Sequence, residues 1–108
     1  MPDSIFELQA ELCKMMGNAT RLQIVHCLRA DPQRVSNIIH ATGLAQAKVS
    51  QHLGALRARG IVTTERRGKD IGYRISNPNI VRVCDLMREV LMQQAAERLE
   101  MIKVLKET

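Results

Sequence analysis

A mainly α-helical chain with one β-hairpin set before its last helix is the fold class predicted for these 108 residues, and three observations predict it. Hydrophobic residues make up 45% of the chain, yet it holds one Phe, one Tyr and no Trp. Its core must therefore be built from Leu, Ile, Val, Met and Ala, a set that favours helices over sheets. Apolar residues recur three or four positions apart in successive stretches, whereas the segments 61–66 and 71–75 are β-branched and alternate with period two. After Pro78 no Gly or further Pro interrupts the chain. The length fits a single domain spanning 1–108, large enough for one core but marginal if that core stands alone.

Ser4 followed by Glu7 reads as a capping box that opens a first helix, with Ile5, Leu8, Leu12, Met15 and Met16 as its apolar stripe and Gly17 as its end. A second helix starts near Asn18 or Thr20, buries Leu22, Ile24, Val25 and Leu28, and runs to about Ala30, where Asp31-Pro32 stops it. A third, barely two turns long, follows Ser36 with Ile38 and Ile39 inward, and Thr42-Gly43 closes it. The short Gly43-Leu44 connection then leads into a helix from Ala45 to its natural cap at Gly60, which is the spacing of a helix-turn-helix. In this fourth helix Val49, Leu53 and Leu56 form one stripe, and Ala47, Ser50, Gln51, Gly54 and Ala58 face away from it.

The period-two segments form a hairpin with the basic tip Arg67-Gly68-Lys69-Asp70, which must pack on the helices through Ile61, Tyr73 and Ile75 because an isolated hairpin is barely stable. The arrangement is a winged helix. Asn77-Pro78 is a strong helix start, and Ile80, Cys84, Met87, Leu91, Ala95, Leu99, Ile102 and Leu105 continue the helical spacing for roughly 28 residues, a rod of about 40 Å. So small a domain cannot bury such a rod. Together with the first helix it is expected to supply a symmetric dimer interface flanked by Glu97, Arg98, Glu100 and Lys103; the alternative for the part beyond Gln94 is a frayed tail. The dimerisation helices are placed at about 4–17 and 78–106, around a DNA-binding core at about 31–76.

Charge supports that division. Between Asp31 and Ser76 lie Arg34, Lys48, Arg57, Arg59, Arg66, Arg67, Lys69 and Arg74 against Asp31, Glu65 and Asp70, so this segment carries the whole net charge of +5. A neutral frame around a basic segment is the footprint of a phosphate-binding module, the alternative being a merely solvated face. The small, smooth outer face of the fourth helix allows close approach to a duplex, and Ser50 and Gln51 are suited to base edges in a major groove. Arg66, Arg67 and Lys69 would reach along the flanking phosphates. No run of about 18 apolar residues occurs, and the N-terminus lacks the marks of a signal peptide, so a cytoplasmic protein without a membrane role is expected. Cys13, Cys27 and Cys84 are odd in number and no secretory signal accompanies them, which argues against a disulfide framework, and with no C-x-x-C pair structural zinc is not expected either. His26, His40 and His52 belong to no recognisable catalytic set, so no enzyme is expected.

The order of elements, with Gly17-Asn18-Ala19-Thr20-Arg21-Leu22, Val49-Ser50-Gln51-His52-Leu53, Leu56-Arg57-Ala58-Arg59-Gly60-Ile61-Val62 and Gly72-Tyr73-Arg74-Ile75, resembles the arsenic-repressor (ArsR/SmtB) family of winged-helix regulators over about residues 5–92. The resemblance implies a homodimeric bacterial or archaeal transcriptional repressor that binds a palindromic operator and releases it when an effector arrives. It places Gln46, Lys48, Ser50 and Gln51 at the groove, and Lys48 and Arg57 on phosphates. His52 would brace the helix or touch phosphate, the alternative being a satisfied, partly buried histidine. Two groove helices about 34 Å apart would read one face of the duplex.

Metal sensors of the family carry cysteines in or before the third helix, or carboxylates and histidines on the last. Residues 35–40 hold no Cys and the last helix holds no His, so both usual metal sites of the family are missing; no metal site is assigned and no cofactor is expected. Relatives that sense sulfane sulfur or oxidants use one Cys on the second helix and one on the last, which Cys27 and Cys84 match poorly. Cys13, Cys27 and Cys84 thus stay open between packing, a thiol switch and soft-metal ligation. The effector is unassigned. A winged-helix module that binds protein instead of DNA is the alternative function.

Overall fold

A computed structural model describes residues 4–107; the extreme ends of the expected 1–108 domain lie outside the described residues. The order is α1 (Ile5–Met16), α2 (Ala19–Cys27), α3 (Val35–Thr42), α4 (Gln46–Ala58), β1 (Val62–Arg67), β2 (Asp70–Ile75) and α5 (Pro78–Glu107). The strands form an antiparallel hairpin, and the whole is a winged helix-turn-helix. Among the described residues no helix is long and apolar enough to cross a membrane.

The helix ends follow from their capping chemistry. Ser4 Oγ accepts the Glu7 backbone N–H at 3.2 Å, and Asn18 Oδ1 accepts that of Arg21 at 3.1 Å, each satisfying a donor that the first turn leaves free. At the end of α4, Ile61 N–H reaches the Leu56 carbonyl at 2.9 Å and Gly60 N–H reaches that of Arg57 at 3.0 Å, with Gly60 at φ +74°. This is a Schellman motif, and its hydrophobic partners, Ile61 and Leu56, are both buried. The cap residue is Arg59, and the left-handed Gly60 turns the chain into the wing.

The core is aliphatic throughout. Ile24 and Val25 of α2 with Leu28 at its cap, Ile38 of α3, Val49, Leu53 and Leu56 of α4, and Ile61 and Val62 at the start of the wing form one buried cluster, which Met16 and Cys84 complete. Tyr73, Ile75 and Ile80 pack against this cluster half-buried, so the wing docks through the residues expected. Leu22 and Ile39, expected inside, are only half-buried.

Three boundaries differ from expectation. α2 ends at Cys27, not near Ala30, because the Leu28 and Arg29 N–H groups already bond back in a tight last turn. α3 begins at Val35, ahead of Ser36, because Gln33 is held extended by a reciprocal backbone bridge to Tyr73 (2.9 and 2.8 Å) that delivers Arg34 as cap residue. In the hairpin Arg67 pairs with Asp70, shortening the tip to Gly68-Lys69. Gly68 at φ +64° meets the demand of a two-residue turn for a positive φ at its first position.

α5 is one helix of 30 residues, and its second half projects from the domain. The radius of gyration is 17.6 Å, against about 13 Å for a compact chain of this length. Its outer turns leave Val90, Leu91, Leu99, Met101 and Leu105 at least half exposed, and α1 does the same with Ile5 and Phe6.

Two glycines of one helix and its cap should respond oppositely to alanine. Gly60→Ala forces a side chain into the left-handed region and should lower unfolding stability by roughly 1–2 kcal/mol. Gly54→Ala, with no atom within 4 Å of the added methyl, should raise it by about 0.5–1 kcal/mol. Urea unfolding followed by circular dichroism measures both.

Candidate nucleic-acid interface

The division of α4 into two faces decides which of its side chains meet solvent. Val49, Leu53 and Leu56 are at most 1% exposed, which fixes the rotation of the helix about its axis. Gln46, Ala47, Lys48, Ser50, Gln51, Gly54, Arg57 and Ala58 are consequently exposed. Small side chains at 47, 54 and 58 leave Gln46, Ser50 and Gln51 standing clear as hydrogen-bonding groups, the chemistry that reads base edges. Among the described residues Lys48 and Arg57 enter no ion pair. Arg59, at the cap, is engaged by Glu11 of α1 at 3.5 Å.

The hairpin register separates the basic residues of the wing. Arg66 and Ile71 share the face of Val62, Thr64, Tyr73 and Ile75, beyond the edge of the core, while Arg67 lies on the opposite face with Glu65 and Asp70. Arg66 and Lys69 are exposed without an ionic partner among the described residues. Arg67 approaches Glu65 at 3.8 Å and borders a polar cleft between the wing and the start of α3, where Arg34 meets Asp70 at 3.6 Å. Exposed pairs of this kind contribute about 0–1 kcal/mol, so Glu65 orients Arg67 without holding it firmly.

His52 lies on the flank of α4 and is half-buried. Its Nδ1 accepts a hydrogen bond from Arg21 Nε at 3.2 Å, and the Arg21 terminal nitrogen donates to the Met15 carbonyl at 3.3 Å. An Nδ1 that accepts is unprotonated, so the neutral ring carries its proton on Nε2. Burial, then the Arg21 and Lys48 charges, hold the imidazole below its ordinary value of 6.5. The ring is thus partly buried and hydrogen-bonded to a side chain of α2. Arg21 was not among the candidate residues. It lies in the 17–22 motif that carries the family resemblance, but its contact spans 31 positions and so leaves no local mark.

The three cysteines are free and differently placed. Cys13 is exposed on α1. Cys27 closes α2, half-buried beside Ala41 and Thr42, and Cys84 is 8% exposed on α5 beside Leu22 and Met87. Burial pushes the Cys27 thiol up; it does the same at Cys84, where Arg88 opposes the shift and Asp85 adds to it. Reactive cysteines show the reverse, a depressed pKa in an electropositive setting. Among the described residues no group of three or more His, Cys, Asp or Glu is placed to hold a metal ion.

The family model of bacterial regulatory proteins of the arsR family matches residues 18–64, from the cap of α2 into β1. The HTH-type transcriptional regulator Rv0081 of Mycobacterium tuberculosis is 28% identical over 96% of this chain and 92% of its own. Its crystal structure superposes with a TM-score of 0.77, covering 91% of this chain and 99% of that one. The transcriptional repressor PagR of Bacillus anthracis is 35% identical over 78% of this chain and 85% of its own. The homodimeric winged helix-turn-helix DNA-binding domain Mb0332 of Mycobacterium bovis is 28% identical with a TM-score of 0.75, covering 90% of this chain and 93% of that one.

The His52 contact carries a pH signature. The folded protein keeps the ring neutral to lower pH than the unfolded chain does, so the unfolded chain binds more protons as the pH drops. The contribution is complete above about 6.5 and is lost as the pH falls through the folded value. Between pH 7.5 and pH 5.5 the urea midpoint should therefore fall further for the native chain than for His52→Asn, whose amide oxygen accepts but does not titrate. Parallel shifts in the two proteins would contradict this.

Proposed function

The chain belongs to the ArsR/SmtB family of winged helix-turn-helix transcriptional regulators, and from that premise we propose that it is a homodimeric repressor that binds a two-fold symmetric operator and lets go when an effector alters the dimer. The family consists of regulators and not of enzymes. The observation that carries the reading is α4 itself, with one stripe at most 1% exposed and the opposite face polar, small and open.

The residues take distinct roles in this reading. Gln46, Ser50 and Gln51 supply sequence preference from the groove, while Lys48, Arg57, Arg66 and Lys69 neutralise phosphates and add to the salt dependence of binding. Arg67 contributes less, since it must leave Glu65 to reach a phosphate. His52 holds α4 in place. Residues 31–76 then form the DNA-binding core, and the helices at 4–17 and 78–106 form the dimer, their uncovered apolar faces being of the kind that association buries. Cys27 and Cys84 act as packing residues, and the effector works by changing the spacing of the two reading helices.

Duplexes selected from a random pool should be two-fold symmetric, and affinity should fall steeply with salt. Gln51→Ala should blunt the preference among duplexes, whereas Arg66→Ala should weaken all of them alike and reduce the slope of log affinity against log salt by about 1. If neither substitution changes duplex binding, a winged-helix module that binds protein takes the place of this reading. In sedimentation, Leu91→Glu with Leu99→Glu should convert dimer to monomer and weaken operator binding together with it; an unchanged dimer would place the interface elsewhere.

A further inference from the structure

α1 and α4 are joined by polar links at two places. Glu11 of α1 meets Arg59 at the cap of α4 at 3.5 Å, and Arg21 spans from the Met15 carbonyl, in the last turn of α1, to His52 Nδ1 in the middle of α4. Arg21 is itself anchored, because its backbone N–H is the one that Asn18 caps. A guanidinium is suited to such a bridge, since its planar fork directs donors along two fixed lines at once, which an ammonium cannot do. Both acceptors are neutral, so the arrangement holds by direction and not by ion pairing. Neither acceptor lies on α2, the helix that carries Arg21.

We propose that Arg21 is a positioning residue for the DNA reader, fixing the pose of α4 through His52 and coupling that pose to the end of α1 through the Met15 carbonyl. The inference rests on the function proposed above. α1 bears exposed Ile5, Phe6, Leu8 and Leu12 and belongs to the dimer scaffold of that reading, so a shift of α1 moves the Met15 carbonyl. Arg21 then keeps its contact with one partner at the expense of the other. The reader thereby responds to the scaffold through one side chain, although neither Arg21 nor Met15 belongs to its exposed face. The charges acting on His52 are Arg21 from α2 and Lys48 from its own helix.

The test is a double-mutant cycle on the full chain, with affinity for a selected duplex as one readout and the His52 ring pKa by NMR as the other. Arg21→Gln should raise the His52 pKa toward its ordinary value and lower duplex affinity about tenfold, within the usual range of coupling between sites. In a His52→Ala background the same substitution should change affinity less than twofold. Equal losses in the two backgrounds would show that Arg21 acts on DNA or on the whole fold, and no loss in the native background would show that it positions nothing; either result overturns the proposal. A second pair keeps the test open if Arg21→Gln does not fold. His52→Asn retains an acceptor at the Nδ1 position and should keep most of the affinity, whereas His52→Gln does not and should lose it; the reverse order overturns the clamp in favour of a DNA contact through Nε2. A native chain that binds no duplex refutes the regulator reading itself, and is distinct from a chain that binds but ignores Arg21.

Discussion

Complete burial of one stripe of α4 is the constraint on which the rest of the structure depends. Val49, Leu53 and Leu56 belong to a cluster with no fully buried aromatic side chain among the described residues, so aliphatic side chains from α2, α3 and β1 must fill most of the space around them. Such packing admits one rotation of the helix about its axis. The opposite face is then presented without any residue on it having to specify the orientation. The packing face and the exposed polar face are thus separated by half a turn of helix.

The polar contacts do a different task from the core. They do not hold the elements together so much as set their angles: the Gln33–Tyr73 bridge fixes the wing to the start of α3, and Arg29 ties the end of α2 to α5 through Asp85. Each is partly exposed and modest in energy. Their value lies in direction, since a hydrogen bond restricts the approach of two groups to a narrow range of angles.

What was legible in the sequence was what is local. Ser4, Asn18, Gly60 and the alternation around 61–75 each act within a few residues of the structure they determine, and the α4 stripe follows from periodicity alone. The misses share a cause. The start of α3 depends on Tyr73, forty positions away from its partner Gln33; His52 depends on Arg21; and the short hairpin tip depends on Arg67 and Asp70 continuing the ladder where charge and a nearby glycine suggested a loop. The candidate cysteines were legible as residues but not as environments, because burial, which decides thiol chemistry, is a property of packing.

The bare outer half of α5 has a thermodynamic consequence. In the dimer proposed for this chain, folding of that rod and association of the protomers form one equilibrium, so stability rises with the amount of protein present. A cell holding few copies keeps a larger fraction as separate chains, open to proteolysis along an uncovered helix. Abundance then has a threshold set by the helix itself: below it the protein clears quickly, and above it the population protects its own members.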